Sequence, residues 1–371
     1  MTNDPKQPYK PQLIKGDVGG SASPEFEVCT AYTDWFDKIL VEDSIGDIMI
    51  NRHDRIFVEK QGKLEQLPLV LESKEALTML ADYIMRMCGK NLATEAQSFD
   101  GMLPGGSRVS IVLAPAAADG ASIAIRKVSK HMLTFDDMVE QGILFPNVAA
   151  FLKAMAKARV NVLISGATSS GKTTLLNALS AYVSPDERVI TIEDTAELQL
   201  QHKNVVRFEA NDVDGGMSQR DLLKSALRMR GDRIIIGEIR GIEVFDFLQA
   251  LNSGHDGSMG TIHANNPRDA FMRLELMIGM NSSNLTQKFI RQQIASSLNI
   301  VIQTQRFENG QRRISHITEV VGLEGDVIVA QELFVLSIDP KTGKANPPLF
   351  NFSSRNPKIQ EAIQQAKLSG R

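Results

Sequence analysis

The sequence predicts an α/β protein in which a largely parallel sheet fills the C-terminal half and a smaller α+β domain precedes it. Three observations carry that prediction. From about residue 160, apolar strands alternate with amphipathic helices: "VNVLISG", "KTTLLNALSAYV", "RVITIED", "SQRDLLKSALRMR", "RIIIGEI", "EVFDFLQALNSG" and "GSMGTIHA" follow one another. Continuous apolar strands separated by helices mark a sheet covered on both faces. Before residue 128 the strands instead pair around short turns. Finally, 371 residues with 43% hydrophobic side chains leave room for two cores.

Taken in order, the first 26 residues are rich in Pro, Gly, Ser and Lys and too poor in apolar side chains to order themselves, so 1–26 is expected as a mobile tail. "GDIMINRHDRIFVEKQG" reads as two strands about a polar turn. In "SKEALTMLADYIMRMCG", Ala76, Leu80, Tyr83, Ile84 and Met87 share a helical face, with Ser73 as N-cap and Gly89 beyond the C-terminus. "SRVSIVLAP" and "ASIAIRKVS" supply two further strands, closing an α+β domain over 27–127. Residues 128–146 mix polar positions, a short helix and Pro146 and read as a hinge, leaving 147–371 as the second domain. Its end holds helices near 267–297, strands at "NIVIQTQRF", "RRISHITEVVG" and "DVIVAQELFVL", and a frayed helix in the last fifteen residues.

Composition excludes several classes. A net charge of −3 provides no basic field for nucleic acid, so no direct nucleic-acid contact is expected. There is no uncharged apolar run long enough to cross a bilayer and no secretory leader, which predicts a cytoplasmic protein that meets membrane only through partners. Cys29 and Cys88, the only two cysteines, are too few for a disulfide framework or a zinc site.

The strongest signal is "GATSSGKT", Gly166 to Thr173, which fits G-x-x-x-x-G-K-[ST] between a strand and a helix. Glycines let such a loop turn its N–H groups inward on phosphates, and the helix N-terminus adds positive potential. Gly166, Ala167, Thr168, Ser169, Ser170, Gly171, Lys172, Thr173 and Thr174 therefore form the candidate nucleotide cradle, Lys172 reaching the β and γ phosphates and Thr173 giving its hydroxyl to Mg²⁺. ATP is the expected substrate.

Three more blocks bear on turnover. "VITIEDTAEL" ends a strand on Glu193 and Asp194, and either could instead cap a turn. "DRIIIGEIRG" ends another on Gly237 and Glu238, with glycine where an ordinary nucleotide hydrolase keeps its metal-binding aspartate. "GHDGSMGTIHANNP" brackets a third with His255 and His263, and His263 suits either a γ-phosphate contact or a core hydrogen bond. Glu193 and Glu238 are the candidate acids, both also placed toward the metal, Glu238 through water.

The cradle, "TIEDTAELQL", "IIIGEIRG" and "GHDGSMGTIHANNPRDA", in this order, resemble the secretion-ATPase superfamily of type II secretion, type IV pili and type IV secretion, over roughly residues 26–336. "ALRMRGDRIIIGEIRG" and "ISHITEVVGLEGDVIVAQELF" look most like the CpaF/TadA-type ATPases of Tad (Flp) pili. The resemblance implies a C-terminal RecA-like P-loop NTPase domain with an N-terminal α+β domain, and a cytoplasmic homo-hexamer at the inner membrane that acts on platform proteins of a pilus or secretion machine. It also implies Mg²⁺-dependent ATP hydrolysis, Glu238 as the acid that orients water, Glu193 in an acidic box, His263 in a histidine box, and arginines at the phosphates matched by Arg126, Arg108 and Arg228. Gly231 departs from the family's usual proline, which bears on the aim of Arg228 and Arg230. The competing expectations are a RecA-like DNA translocase or conjugation ATPase, and a nucleotide-binding scaffold without turnover.

Overall fold

The computed structural model describes residues 27–29, 32–60, 63–90, 92, 97–128, 132–211, 215–281, 284–307, 310–338, 345, 348–351 and 353–368. The tail expected at 1–26 lies outside the described residues. The chain divides into two compact units, 1–131 and 132–371.

The first unit contains β1 (Glu27–Cys29), α1 (Tyr32–Val41), β2 (Ile45–Arg52), β3 (Arg55–Lys60), β4 (Lys63–Gln66), β5 (Leu69–Leu71), α2 (Lys74–Met87), β6 (Ser98–Met102), β7 (Arg108–Val112) and β8 (Ser122–Arg126). Six of its strands form an antiparallel sheet in the order β4-β3-β2-β8-β7-β6, and β1 pairs with β5 in parallel. Alternation puts Ile48, Ile50, Ile56, Val58, Val109, Ile111, Ile123 and Ile125 on the buried face, against Phe36 of α1 and Leu77, Leu80 and Ile84 of α2. Each such side chain withdrawn from water stabilises the unit by about 1.5–3 kcal/mol. Ser73 caps α2 as expected, accepting from the Ala76 N–H at 3.2 Å, and Gly89 follows the helix with φ +77°. The buried face of α2 is centred nearer Leu77, Ala81 and Met85, leaving Tyr83 and Met87 half-buried.

The second unit contains α3 (Phe135–Glu140), α4 (Pro146–Lys157), β9 (Val162–Gly166), α5 (Lys172–Ser180), β10 (Val189–Glu193), β11 (Val205–Glu209), α6 (Gln219–Ala226), β12 (Arg233–Ile236), α7 (Glu243–Asn252), β13 (Met259–Ile262), α8 (Pro267–Asn281), α9 (Gln287–Ser297), β14 (Ile300–Arg306), β15 (Arg312–Glu324), β16 (Val327–Val335), β17 (Leu349–Phe350) and α10 (Pro357–Gln365). The strands make one sheet in the order β11-β10-β12-β13-β9-β14-β15-β16-β17. The first six are parallel and the last three join antiparallel, so the sheet is mixed.

Both faces of this sheet are covered, with residue alternation dividing the two cores. Ile164, Ile235, Met259 and Ile302 face α3, α4, α5 and α10, whereas Leu163, Ile192, Ile234, Ile236, Ile262 and Val301 face α6, α7, α8 and α9. Phe135, Met138 and Leu144, inside the stretch expected to be a hinge, are buried in the first of these cores. The last helix is not frayed: Ile359 and Ala362 are fully buried, because α10 docks its apolar face into the same core as α4.

At the edge where the parallel strands begin, a buried arginine anchors the sheet. Arg233, 0% exposed, donates Nε and Nη2 to the Glu187 carboxylate at 2.7 Å each and Nη1 to the Gly257 carbonyl at 3.1 Å. A β-carbon on Gly257 would come within 2.6 Å of that guanidinium, and its φ of +80° favours glycine as well. Gly231, the departure noted in the sequence, abuts core residue Ile190, whose Cδ1 lies 2.7 Å from where a β-carbon would be, so proline does not fit here without displacing it. Removing one partner of a buried ion pair strands the other. Arg233→Ala should therefore lower unfolding stability by about 3–5 kcal/mol, read from the urea midpoint, and a loss below about 0.5 kcal/mol would show that Arg233 is no anchor.

Candidate functional site

A parallel sheet brings the C-terminal ends of its strands to one edge, where ligands of such folds bind. Here that edge carries, in spatial order, Glu193 at the end of β10, Gly237 and Glu238 after β12, His263 after β13, the phosphate cradle after β9 and Thr304 on β14. Residues far apart in the chain thus become neighbours by strand pairing. The edge continues past the strands: the Gly237 N–H donates to the Ile192 carbonyl at 2.9 Å, and Ile239 N–H to the Thr261 carbonyl at 2.8 Å.

The cradle has the backbone that anion binding needs. Ser169 and Gly171 adopt left-handed conformations, with φ of +57° and +101°. Gly171 occupies the N-cap of α5 with no side chain satisfying the first-turn N–H groups, which are the donors a phosphate would take. Gly166 is required by packing, because a β-carbon there would collide with Ser170 Oγ and Thr304 Oγ1. Those two hydroxyls are hydrogen-bonded at 2.8 Å and brace the loop from behind. Lys172, 7% exposed, donates Nζ to the carbonyls of Gly166 and Ala167 at 3.0 Å. Thr173 and Thr174 follow it, half-buried, in the first turn of α5.

Lys172 Nζ also lies 3.4 Å from Nδ1 of His263. An ammonium only donates, so Nδ1 accepts and the ring proton sits on Nε2, which donates to Glu238 Oε1 at 3.0 Å. Burial and then the Lys172 charge hold His263 below the ordinary histidine range, against the pull of Glu238, so the ring is neutral at pH 7. Arg240 closes on the same acid, Nε to Glu238 Oε1 at 2.9 Å and Nη2 to Oε2 at 3.0 Å, and reaches Asp194 Oδ2 at 2.8 Å with Nη1. Gln219 holds the other Asp194 oxygen at 2.6 Å. Burial pushes the Glu238 carboxyl up, but the Arg240 hydrogen bond and charge, then His263 and Lys172, outweigh it and keep it ionised.

Glu193 occupies a different environment. It is 3% exposed, and Oε1 accepts the N–H groups of Glu197 and Leu198 at 3.0 and 2.8 Å, while Oε2 has no partner among the described residues. Burial raises its pKa to about 7, with those two N–H groups and Arg207 opposing. Its side chain lies over Gly237: a β-carbon there would be 3.0 Å from Glu193 Cγ. The glycine in "IIIGE" thus makes room for a carboxyl arriving from the neighbouring strand. A carboxyl oxygen without a donor, on the same sheet edge as the phosphate cradle and its Thr173 hydroxyl, is donor chemistry that suits a hydrated Mg²⁺.

The remaining candidates lie elsewhere. Arg108 and Arg126 belong to the first unit, where they face each other across β7 and β8, and Arg126 is also paired in register with Asp47 of β2. Arg126 Nε donates to Asp47 Oδ1 at 3.2 Å. Like charges opposite each other on a sheet repel, and here the two arginines stand side by side while Asp47 and then Glu59 of β3 continue the row. Arg228 is exposed in the turn after α6, ahead of β12. The structure therefore places it at the strand-start edge, away from the cradle of its own chain. His255 likewise precedes β13 and is not brought to the site. Arg240, close behind Glu238 in "GEIRG", is expected from the sequence to hold that acid in place, and its hydrogen bonds do so; Thr304 and Arg312 contribute without any local pattern that announces them, the only signal for the last being a double arginine after the turn in "NGQRRIS".

Comparison with known proteins bears on the family and the fold. The chain is 32% identical over 308 residues to the type IV secretion system protein PtlH of Bordetella pertussis, covering 75% of this chain and 91% of that protein. It is 30% identical over 293 residues to the conjugal transfer protein TrbB of Rhizobium radiobacter, covering 77% and 86%. The crystal structure of the pilus retraction motor PilT with bound ADP superposes with a TM-score of 0.54 at 23% identity, over 76% of this chain and 80% of that one, a likeness of fold that includes the RecA-like domain. The family described as Type II/IV secretion system protein matches residues 33–317. A match running from the first helix of the N-terminal unit to the antiparallel strands beyond the cradle reaches well past a P-loop, and the chain belongs to this family of secretion ATPases.

Proposed function

We propose that this chain is the Mg²⁺-dependent ATP-hydrolysing motor of a pilus or secretion machine. The observation that carries the reading is the run Lys172, His263, Glu238, Arg240 and Asp194, a connected set of hydrogen bonds from the phosphate cradle to a carboxylate held ionised beside it. Phosphoryl transfer needs a positioned water and neutralised γ-phosphoryl oxygens rather than covalent help from the protein. Three donors occupy Glu238, and a carboxylate has about four lone-pair sites, so one remains to accept a hydrogen bond from the attacking water. That water adds to phosphorus as the bond to the β-γ bridging oxygen breaks, giving ADP and phosphate.

Lys172 would exchange its two carbonyl partners for phosphate oxygens, and His263, neutral with its proton on Nε2, fixes the Glu238 carboxylate while its other nitrogen faces the lysine. Thr173, Glu193 and, through water, Glu238 would hold Mg²⁺, which when bound neutralises charge on the β and γ phosphates. Arg126 and Arg108 are the proposed cationic partners of the transition state. An arginine used this way is worth on the order of 10³–10⁵ in rate, enough to couple turnover to movement between the two domains, with the connecting segment within 128–146 acting as hinge. Arg228, on the far edge of its own sheet, reaches a triphosphate only on another copy, which agrees with the proposed cytoplasmic homo-hexamer. No helix among the described residues is long and apolar enough to cross a membrane, so the proposed docking at the inner membrane runs through platform proteins. The Tad (Flp) pilus is the proposed machine on the strength of the blocks around Gly237 and Val320. The likeness to TrbB favours a second reading, a conjugation ATPase.

Glu238→Gln keeps the shape but loses the charge, so it should bind ATP normally while phosphate release falls by about 10²–10⁴-fold; hydrolysis at the wild-type rate would remove Glu238 from its role. Gly237→Asp restores the residue of ordinary hydrolases, yet should lower kcat by about tenfold or more because it displaces Glu193, and unchanged turnover would show that the two side chains do not compete. Folded Glu193 titrates near 7 and unfolded glutamate near 4.3, so between those values the folded state holds the extra proton. Stability of the nucleotide-free protein should then decrease by up to about 4 kcal/mol as pH climbs through that window and level off above it. Glu193→Gln should remove that component from urea unfolding measured at pH 5, 6, 7 and 8.

A further inference from the structure

Arg240 is shared between two acids, and the sharing is set from outside the pair. Its Nε and Nη2 lie on the Glu238 carboxylate at 2.9 and 3.0 Å, and its Nη1 on Asp194 Oδ2 at 2.8 Å. A guanidinium has several donors but a single positive charge, so how closely it holds Glu238 depends on how fully Asp194 is satisfied by another group. That group is Gln219, whose Nε2 donates to Asp194 Oδ1 at 2.6 Å.

Gln219 is aimed by its helix. It is the first residue of α6, directly after the N-cap Ser218, and is 8% exposed. Leu222, Leu223 and Ala226 bury that helix in the same core as Ile190 and Ile192 of β10, and Arg220 ties it to Asp246 of α7 at 2.7 Å. The amide can face Asp194 one way only, because its oxygen in that place would meet a carboxylate. Turned away, Oε1 finds no donor among the described residues. A buried acceptor left unpaired is a cost that an apolar side chain of the same length would avoid, so packing alone does not account for a glutamine here. What the amide contributes is its bond to Asp194.

We propose that Gln219 is a positioning residue for hydrolysis: by occupying Asp194 it leaves the Arg240 guanidinium seated on Glu238 and so keeps that carboxylate aimed at the water it orients. This rests on the ATPase reading above. Without the amide donor, Asp194 draws a larger share of Arg240, and Glu238 loses one of its fixed partners. Gln219→Met keeps length and burial but has no N–H to give. In the full chain with Mg²⁺ and ATP it should lower kcat by about tenfold, while KM and the dissociation constant for ADP stay within about twofold of the wild type's. Gln219→Glu, whose added negative charge pulls on the same guanidinium, should lower kcat further. A crystal structure of nucleotide-free Gln219→Met should show Arg240 turned onto Asp194, with every nitrogen beyond about 3.5 Å from Glu238. Wild-type turnover in both variants would overturn the proposal. So would Arg240 still seated on Glu238 in that crystal structure, or a loss of ADP affinity parallel to the loss of turnover, which marks a structural prop. A wild-type chain that hydrolyses no ATP refutes the reading beneath the proposal, and the crystal structure then still decides whether Gln219 governs Arg240.

Discussion

Backbone pairing along one edge of a parallel sheet is the constraint on which this site depends. Each candidate group stands on the end of a strand or in the first residues beyond it, and the strands are locked in register by hydrogen bonds to two neighbours. Glu193, Glu238, His263 and the cradle can therefore face one another without relying on long loops to aim them. The Gly237 N–H on the Ile192 carbonyl and the Thr261 hydroxyl on the Gly237 carbonyl, at 2.9 and 2.6 Å, extend that order one residue past the last strand. A site built this way is pre-organised, which is what electrostatic stabilisation of a charged transition state requires.

The missing aspartate after Ile236 follows from the same edge. Two carboxyl side chains cannot fill one volume, and Glu193 from β10 already lies against the α-carbon of Gly237. The two acids that result differ in state as well as in origin. Glu238 is surrounded by Arg240, His263 and Lys172 and stays charged, whereas Glu193 has only backbone donors and a distant arginine against its burial, and titrates near 7. Pairs of acids set apart by environment are a recurring way for one site to hold a charge and handle a proton near neutral pH.

The opposite edge of the sheet does mechanical work. Arg233 with Glu187 and the Gly257 carbonyl, together with Asn161, whose amide binds the Ser297 carbonyl at 2.7 Å and accepts from the Gly257 N–H at 2.7 Å, tie the strand starts to one another. In "GDRIIIG" the arginine faces that anchor and the glycine faces the site, so one short strand joins a stability determinant to a chemical one.

Much of this was legible in the sequence, for physical reasons. The alternation of apolar residues at period two and the helical faces between strands state local conformation directly, so β2, β3, β9, β10, β12 and β13 and helices α2, α5 and α7 stand where the pattern put them. The cradle was readable because its glycines answer to local backbone angles and its lysine to a fixed offset. By contrast, α10 looked frayed because nothing nearby in the chain reveals that α4 lies beneath it, and the polar mix of 128–146 concealed Phe135 and Met138 as core residues because they find their neighbours only after folding. Why glycine follows Ile236, which arginine meets the cradle, and which nitrogen of His263 carries the proton were likewise set by strand order, since the deciding neighbours, Glu193, Arg312 and Lys172, lie 44, 143 and 91 residues away along the chain. What the amino-acid sequence determined alone was the inventory of elements and the phosphate loop, because those depend on interactions a few residues long; tertiary structure decided which side chains confront each other, because that depends on the pairing of strands distant in the chain.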